Sequence, residues 1–203
     1  MTKTAIFGGT FNPPHLGHLN CIKSVYNQVN PDRIIIMPDR IPPHKQALDL
    51  ASGSDRLNMC KMAFENEKFN VQVSDWELNQ SGKSYSVLML KHFRELYKDD
   101  KLSLVMGSDM LLSFEQWYRW EEILTLAELV CVSRNSLDNK RLEASAERLR
   151  SMSGEVTIVE AKPIEISSTQ LRQWVKEKNF EKLYSALNKS VAEYILKNRL
   201  YSM

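Results

Sequence analysis

Along the chain, short apolar runs alternate with longer stretches in which apolar residues recur every three or four positions. The runs fall at residues 4–7, 33–37, 71–74, 102–106, 129–133 and 156–160, and their length and content predict strands. The stretches at 16–27, 55–66, 86–97 and 139–150 carry helical spacing. Ile34-Ile35-Ile36-Met37 and Leu102-Ser103-Leu104-Val105-Met106 run on almost without alternation, as strands covered on both faces do. Strand and helix in regular succession predict an α/β fold, a doubly wound parallel sheet with helices on both faces. Leu142, Ala146, Leu149 and Met152 form the apolar stripe of an amphipathic surface helix. Leu171, Trp174 and Val175 open a further helical pattern, and Val191, Tyr194 and Ile195, followed by Leu200-Tyr201, predict a closing helix packed on the sheet. Ligands of open parallel sheets bind beyond the carboxyl ends of the strands, so residues just after each strand are the candidates for chemistry.

After the first strand stands Gly8-Gly9-Thr10-Phe11-Asn12-Pro13-Pro14-His15-Leu16-Gly17-His18. Gly8 and Gly9 permit a tight turn and let a ligand approach main-chain N–H groups, while the helix start beyond offers unpaired donors and a positive dipole end. Strand, glycine turn and helix start together make a phosphate site. His15 and His18, three residues apart, share one helix face and can address the same anion. No Gly-Lys-Ser/Thr follows, so this is not a Walker loop, and the glycine spacing is not that of the dinucleotide fingerprint.

Length, composition and charge narrow the picture. The 203 residues suffice for one well-cored domain, and 43% hydrophobic with 26% charged residues is ordinary for a globular chain. No apolar run approaches a membrane span, and charged residues interrupt the N-terminal segment at once, against a signal peptide. Cys21, Cys60 and Cys131 are odd in number and set in apolar patterns, which suits buried thiols in a reducing compartment and predicts a cytoplasmic location. A net charge of +2 argues against broad binding to nucleic acid, so any anion is held locally.

Other post-strand segments add candidates. Pro38-Asp39-Arg40-Ile41-Pro42-Pro43-His44-Lys45 predicts an extended cationic loop at the ligand edge. Ser84-Tyr85-Ser86 opens a helix with hydroxyls suited to capping. Gly107 marks another close approach after a strand, and Asp109 can accept from two adjacent sugar hydroxyls. Ser167, Ser168 and Thr169 precede a helical pattern with Arg172 on its first turn, a place where a guanidinium can fork two phosphate oxygens.

His15-Leu16-Gly17-His18, following Gly-Gly-Thr-Phe-Asn-Pro-Pro, resembles the signature of the HxGH nucleotidylyltransferase superfamily, most closely that of the bacterial nicotinate mononucleotide adenylyltransferases. Ile166-Ser167-Ser168-Thr169 with Arg172 resembles its second signature, and about five motifs stand in the expected order over nearly the whole chain. The resemblance implies a Rossmann-like single domain over residues 1–203 that transfers the adenylyl group of ATP to nicotinate mononucleotide, giving deamido-NAD and pyrophosphate. It implies that Gly8, Gly9, Thr10, Phe11, His15, His18, Gly107, Asp109, Ile166, Ser167, Ser168, Thr169 and Arg172 hold ATP. Asn12, Lys45, Tyr85, Ser86, Trp117 and Tyr118 would hold the mononucleotide, with Trp117 stacked on the base and Trp120 left to the core. His18 would serve the α-phosphate, His15 would help hold the phosphates, and Arg172 would take the β and γ groups.

The acceptor phosphate is already an anionic nucleophile, so no general base is required. The sequence has no dedicated metal cage, so Mg²⁺ is expected to arrive with ATP. The partners implied are the two substrates, with no nucleic acid or membrane, and association into a homo-oligomer stays open. The chain departs from the family at Leu88-Met89, where an Asp-Thr pair is usual; that pair either shapes the pyridine pocket or merely orients the helix. Rival readings are a pantetheine-phosphate adenylyltransferase or cytidylyltransferase, a non-catalytic nucleotide sensor on the same fold, and, more weakly, a class I aminoacyl-tRNA synthetase fragment lacking Lys-Met-Ser-Lys-Ser.

Overall fold

The computed structural model describes residues 1–40, 49–133 and 139–202. Six parallel strands form one sheet: β1 Lys3–Gly9, β2 Arg33–Pro38, β3 Val71–Val73, β4 Lys101–Gly107, β5 Glu128–Ser133 and β6 Val156–Glu160. Their order across the sheet is β3-β2-β1-β4-β5-β6, the doubly wound order with its switch point between β1 and β4. Successive strand residues point to opposite faces, and the core divides accordingly: Ala5 and Phe7 enter one layer, Ile6 the other.

The first layer is covered by α1 Leu16–Val29, α2 Gly53–Phe64, α7 Ser168–Lys176, α8 Phe180–Ala186 and α9 Lys189–Lys197. The second is covered by α3 Ser86–Leu96, α4 Ser108–Leu112, α5 Trp120–Leu126 and α6 Asn139–Ser151. Every predicted strand and helix is present to within a few residues at its ends. The closing segment differs from expectation, being a succession of helices with Tyr201 beyond them at φ 61°. Met152 also departs: Leu142, Ala146 and Leu149 are buried, but α6 ends at Ser151 and Met152 is 47% exposed. Cys21, Cys60 and Cys131 are free and buried. No helix among the described residues is long and apolar enough to cross a membrane.

Candidate active site

β1 and β4 end side by side at the switch point, and extending their register places Gly9 opposite Gly107. A Cβ built on Gly8 or on Gly107 would meet nothing within 4 Å, so both face open space where a ligand can approach. Gly9 is small for another reason, since its Cβ would lie 3.2 Å from the Phe11 ring. Phe11 itself is core: it meets Phe7 edge-on at 5.6 Å and supports the His18 ring at 5.1 Å, leaving only its main chain for a nucleotide.

The start of α1 is closed by its own histidines. Gly17 N–H donates to His15 Nδ1 at 3.1 Å and His15 N–H donates to His18 Nδ1 at 3.2 Å, a reciprocal capping box made of imidazoles. Among the first-turn amides only Leu16 N–H has no partner among the described residues, which corrects the expectation of a helix end rich in unpaired donors. The donors move to the side chains instead. Because each Nδ1 accepts an N–H, each neutral ring carries its hydrogen on Nε2, the edge that can donate to a phosphate oxygen. The rings lie 3.8 Å apart between centroids. Gly17 makes this possible, since a Cβ there would come within 2.9 Å of the His15 ring.

α7 is closed by a Ser167–Gln170 box, in which Gln170 N–H donates to Ser167 Oγ and Ser167 N–H donates to Gln170 Oε1. The two serine hydroxyls expected at phosphate are engaged as donors, Ser167 to Gln170 Oε1 in the cap and Ser168 to Pro13 O at 2.9 Å, whereas Thr169 accepts from Arg172 Nη2 at 3.3 Å and can still donate its own O–H. What α7 keeps for an anion is the pair of main-chain N–H groups of Ser168 and Thr169, without partners among the described residues, together with the Thr169 hydroxyl and Arg172. Arg172 Nη1 donates to Asn12 O at 2.9 Å, and its buried Nε has no partner. An orphaned guanidinium N–H at a helix N-terminus fits an anion. Half-buried Ile166 puts its carbonyl 3.9 Å from the position a Gly17 Cβ would take, so the starts of α1 and α7 adjoin.

Asn12 spends most of its side chain on the protein: Nδ2 donates to Asp49 O at 2.8 Å, and Oδ1 accepts from Ala51 N–H and Tyr201 O–H. On the other side of the crevice Tyr85 and Tyr118 lie 4.7 Å apart, bringing Ser86 at the start of α3 beside the 117–118 loop. Trp117 is half-buried with its ring 5.5 Å from Phe114, and Trp120 packs on the same phenyl ring. Asp109 is exposed in the first turn of α4. The expected hydroxyl cap of α3 is absent, because Tyr85 holds the cap position, and Ser84 Oγ instead accepts from Arg40 N–H and serves the Glu77 carboxyl. Lys45, with Pro42, Pro43 and His44, lies outside the described residues.

A buried ionic cluster beneath the site has no counterpart in the sequence reading. Arg56 is 1% exposed and donates to Thr10 O, Ala51 O, Arg40 O and Asp39 Oδ1, the last at 3.3 Å. Asp39 also accepts from the Thr10 hydroxyl at 2.9 Å, so one guanidinium ties the ends of β1 and β2 together. Burial pushes the Glu77 carboxyl above its usual range, opposed by the Ser84 hydroxyl and Arg56 and aided by the Asp39 charge. A signal for Arg56 did exist: it falls on the helical stripe of Met59, Cys60 and Ala63.

The donor set, imidazole N–H, guanidinium and helix-start amides, suits phosphoanhydride oxygens. Among the described residues there is no group of three or more His, Cys, Asp or Glu that could hold a metal ion. Comparison with known proteins agrees with this chemistry. A family model described as cytidylyltransferase-like matches residues 6–174. A probable nicotinate-nucleotide adenylyltransferase of Fusobacterium nucleatum subsp. nucleatum is 36% identical over 196 residues, covering 96% of this chain and 97% of its own. One of Caldicellulosiruptor saccharolyticus, with the same description, is 34% identical over 202 residues, covering 98% of both. In fold, the chain matches the Plasmodium falciparum nicotinic acid mononucleotide adenylyltransferase complexed with NaAD at a TM-score of 0.80 and 18% identity, over 99% of this chain and 98% of that one. The chain belongs to the cytidylyltransferase-like family and, within it, to the nicotinate-nucleotide adenylyltransferases.

Proposed function

We propose that the protein transfers the adenylyl group of ATP to nicotinate mononucleotide, releasing pyrophosphate, and that His15, His18, Arg172 and the start of α7 are its phosphate machinery. The observation that carries this reading is the convergence of the two imidazoles and Arg172 on one turn of chain at the sheet's switch point. The mononucleotide phosphate attacks the α-phosphorus in line, the bond to the β-phosphate oxygen breaks, and no proton has to be removed first. His18 Nε2–H donates to the α-phosphate oxygen as charge builds there, and His15 Nε2–H holds the neighbouring phosphate. Arg172 and the Ser168 and Thr169 amides take the β and γ groups and stabilise the departing pyrophosphate. A divalent cation such as Mg²⁺, arriving with ATP, would supply further charge neutralisation beside these protein donors. Asp109 receives the ribose hydroxyls of ATP, and Trp117 presents its ring to the pyridine beside Tyr85, Ser86 and Tyr118.

The half-buried Trp117 indole, packed on Phe114 and next in the chain to Tyr118, whose ring meets Tyr85, favours a flat base over the flexible arm of phosphopantetheine. Donors that satisfy both carboxylate oxygens leave one unpaired against an amide NH₂, so we expect nicotinate mononucleotide to be preferred over the nicotinamide form by roughly tenfold or more in kcat/KM. The test is pyrophosphate release with ATP and a panel of phosphorylated acceptors. Turnover confined to the pyridine mononucleotides supports the reading, and turnover with phosphopantetheine or with CTP and a phosphorylated alcohol would displace it.

A further inference from the structure

The Asn12–Pro13 turn is held from several directions at once. Its carbonyls accept from α7, Asn12 O from Arg172 Nη1 and Pro13 O from Ser168 Oγ, each at 2.9 Å. The Asn12 side chain reaches the other way, donating through Nδ2 to Asp49 O at 2.8 Å and accepting at Oδ1 from Ala51 N–H at 3.0 Å and from Tyr201 O–H at 2.7 Å. Both Oδ1 lone pairs are thereby used, and the amide cannot flip without turning its oxygen onto the Asp49 carbonyl. Asn12 is 4% exposed and Tyr201 9%, so water cannot readily replace either partner. The Tyr201 ring belongs to the core layer of α1, α2 and α7–α9. Burial raises its ionisation well above the usual range, which keeps the hydroxyl a donor.

We infer that Tyr201 is a positioning residue for adenylyl transfer: its hydroxyl fixes the Asn12 amide and, through the Asn12 carbonyl, the Arg172 guanidinium. This rests on the reading of Arg172 as a phosphate donor. Loss of the hydroxyl leaves the ring packing, the Asp49 contact and the Ala51 contact in place, so the turn persists but is less tightly specified. Phosphoryl chemistry that depends on placement is sensitive to shifts well under the length of a bond.

The experiment compares Tyr201→Phe, Arg172→Ala and the double variant, with wild-type turnover of ATP and nicotinate mononucleotide as the reference. We expect Tyr201→Phe to fold, to keep its KM for the mononucleotide, and to lose about tenfold in kcat/KM for ATP. In the Arg172→Ala background the same change should cost nothing further, because the group it positions is gone. Wild-type kcat/KM for ATP in Tyr201→Phe, equal losses in both backgrounds, or failure of Tyr201→Phe to fold would each overturn the inference. Absence of wild-type turnover would instead overturn the proposed reaction, so the two failures are distinguishable.

Discussion

The first turns of α1 and α7 adjoin the same turn of chain, yet they are closed in different ways. At α1 the capping groups are His15 and His18, so the side chains that satisfy the helix amides are the ones we propose for phosphate. At α7 the cap is Ser167 with Gln170, while the proposed anion donors are the next amides and Arg172. The difference teaches that stability and chemistry are fused at one helix end and separable at the other. It also explains why Gly17 is a glycine: the imidazole cap lies where its side chain would be.

The largest expected effect tests the fused end. His18→Ala removes one transition-state donor and should lower kcat by about a hundredfold or more, with a further loss of roughly 1 kcal/mol of stability from the broken box. Stopped-time product assays alongside thermal unfolding would measure both, and near-normal kcat in the folded variant would break the assignment. A smaller loss is expected for Gly17→Ala. The new methyl group would push the His15 ring from its present place, and we expect about tenfold in kcat even though alanine is the better helix former. Wild-type kcat in that variant would mean that the His15 ring position is immaterial.

The smallest effect comes from the separable end. Ser167→Ala should cost about 1 kcal/mol in unfolding free energy and leave kcat within about twofold, because the cap is not the donor. A loss of rate comparable to that of His18→Ala would show that α7 is fused like α1, and the contrast would fall.

Much of the fold was legible because periodicity and burial agree. The run Ile34-Ile35-Ile36-Met37 is buried throughout, as a strand covered on both faces must be. Elements of two turns or fewer, such as α4, α5 and α8, repeat their apolar positions too few times to leave such a mark. Residue types at the site were legible, whereas their hydrogen-bond assignments were not. Nothing in a Ser-Ser-Thr string says that the first serine caps, the second holds Pro13 and the threonine receives Arg172. Asn12 and Tyr201 are joined across 189 positions by a single bond, and a pattern read along the chain carries no information about such a pair.

The bonds that shape the Asn12–Pro13 turn have a consequence for the time course of refolding. Ser168 reaches Pro13 over 155 positions, Arg172 reaches Asn12 over 160, and Tyr201 over 189. Contacts of such separation require closure of very long loops, which slows their formation relative to the local turns of each helix. On refolding, competence for turnover should therefore arrive no sooner than the docking of residues 168–201 onto the Asn12–Pro13 turn.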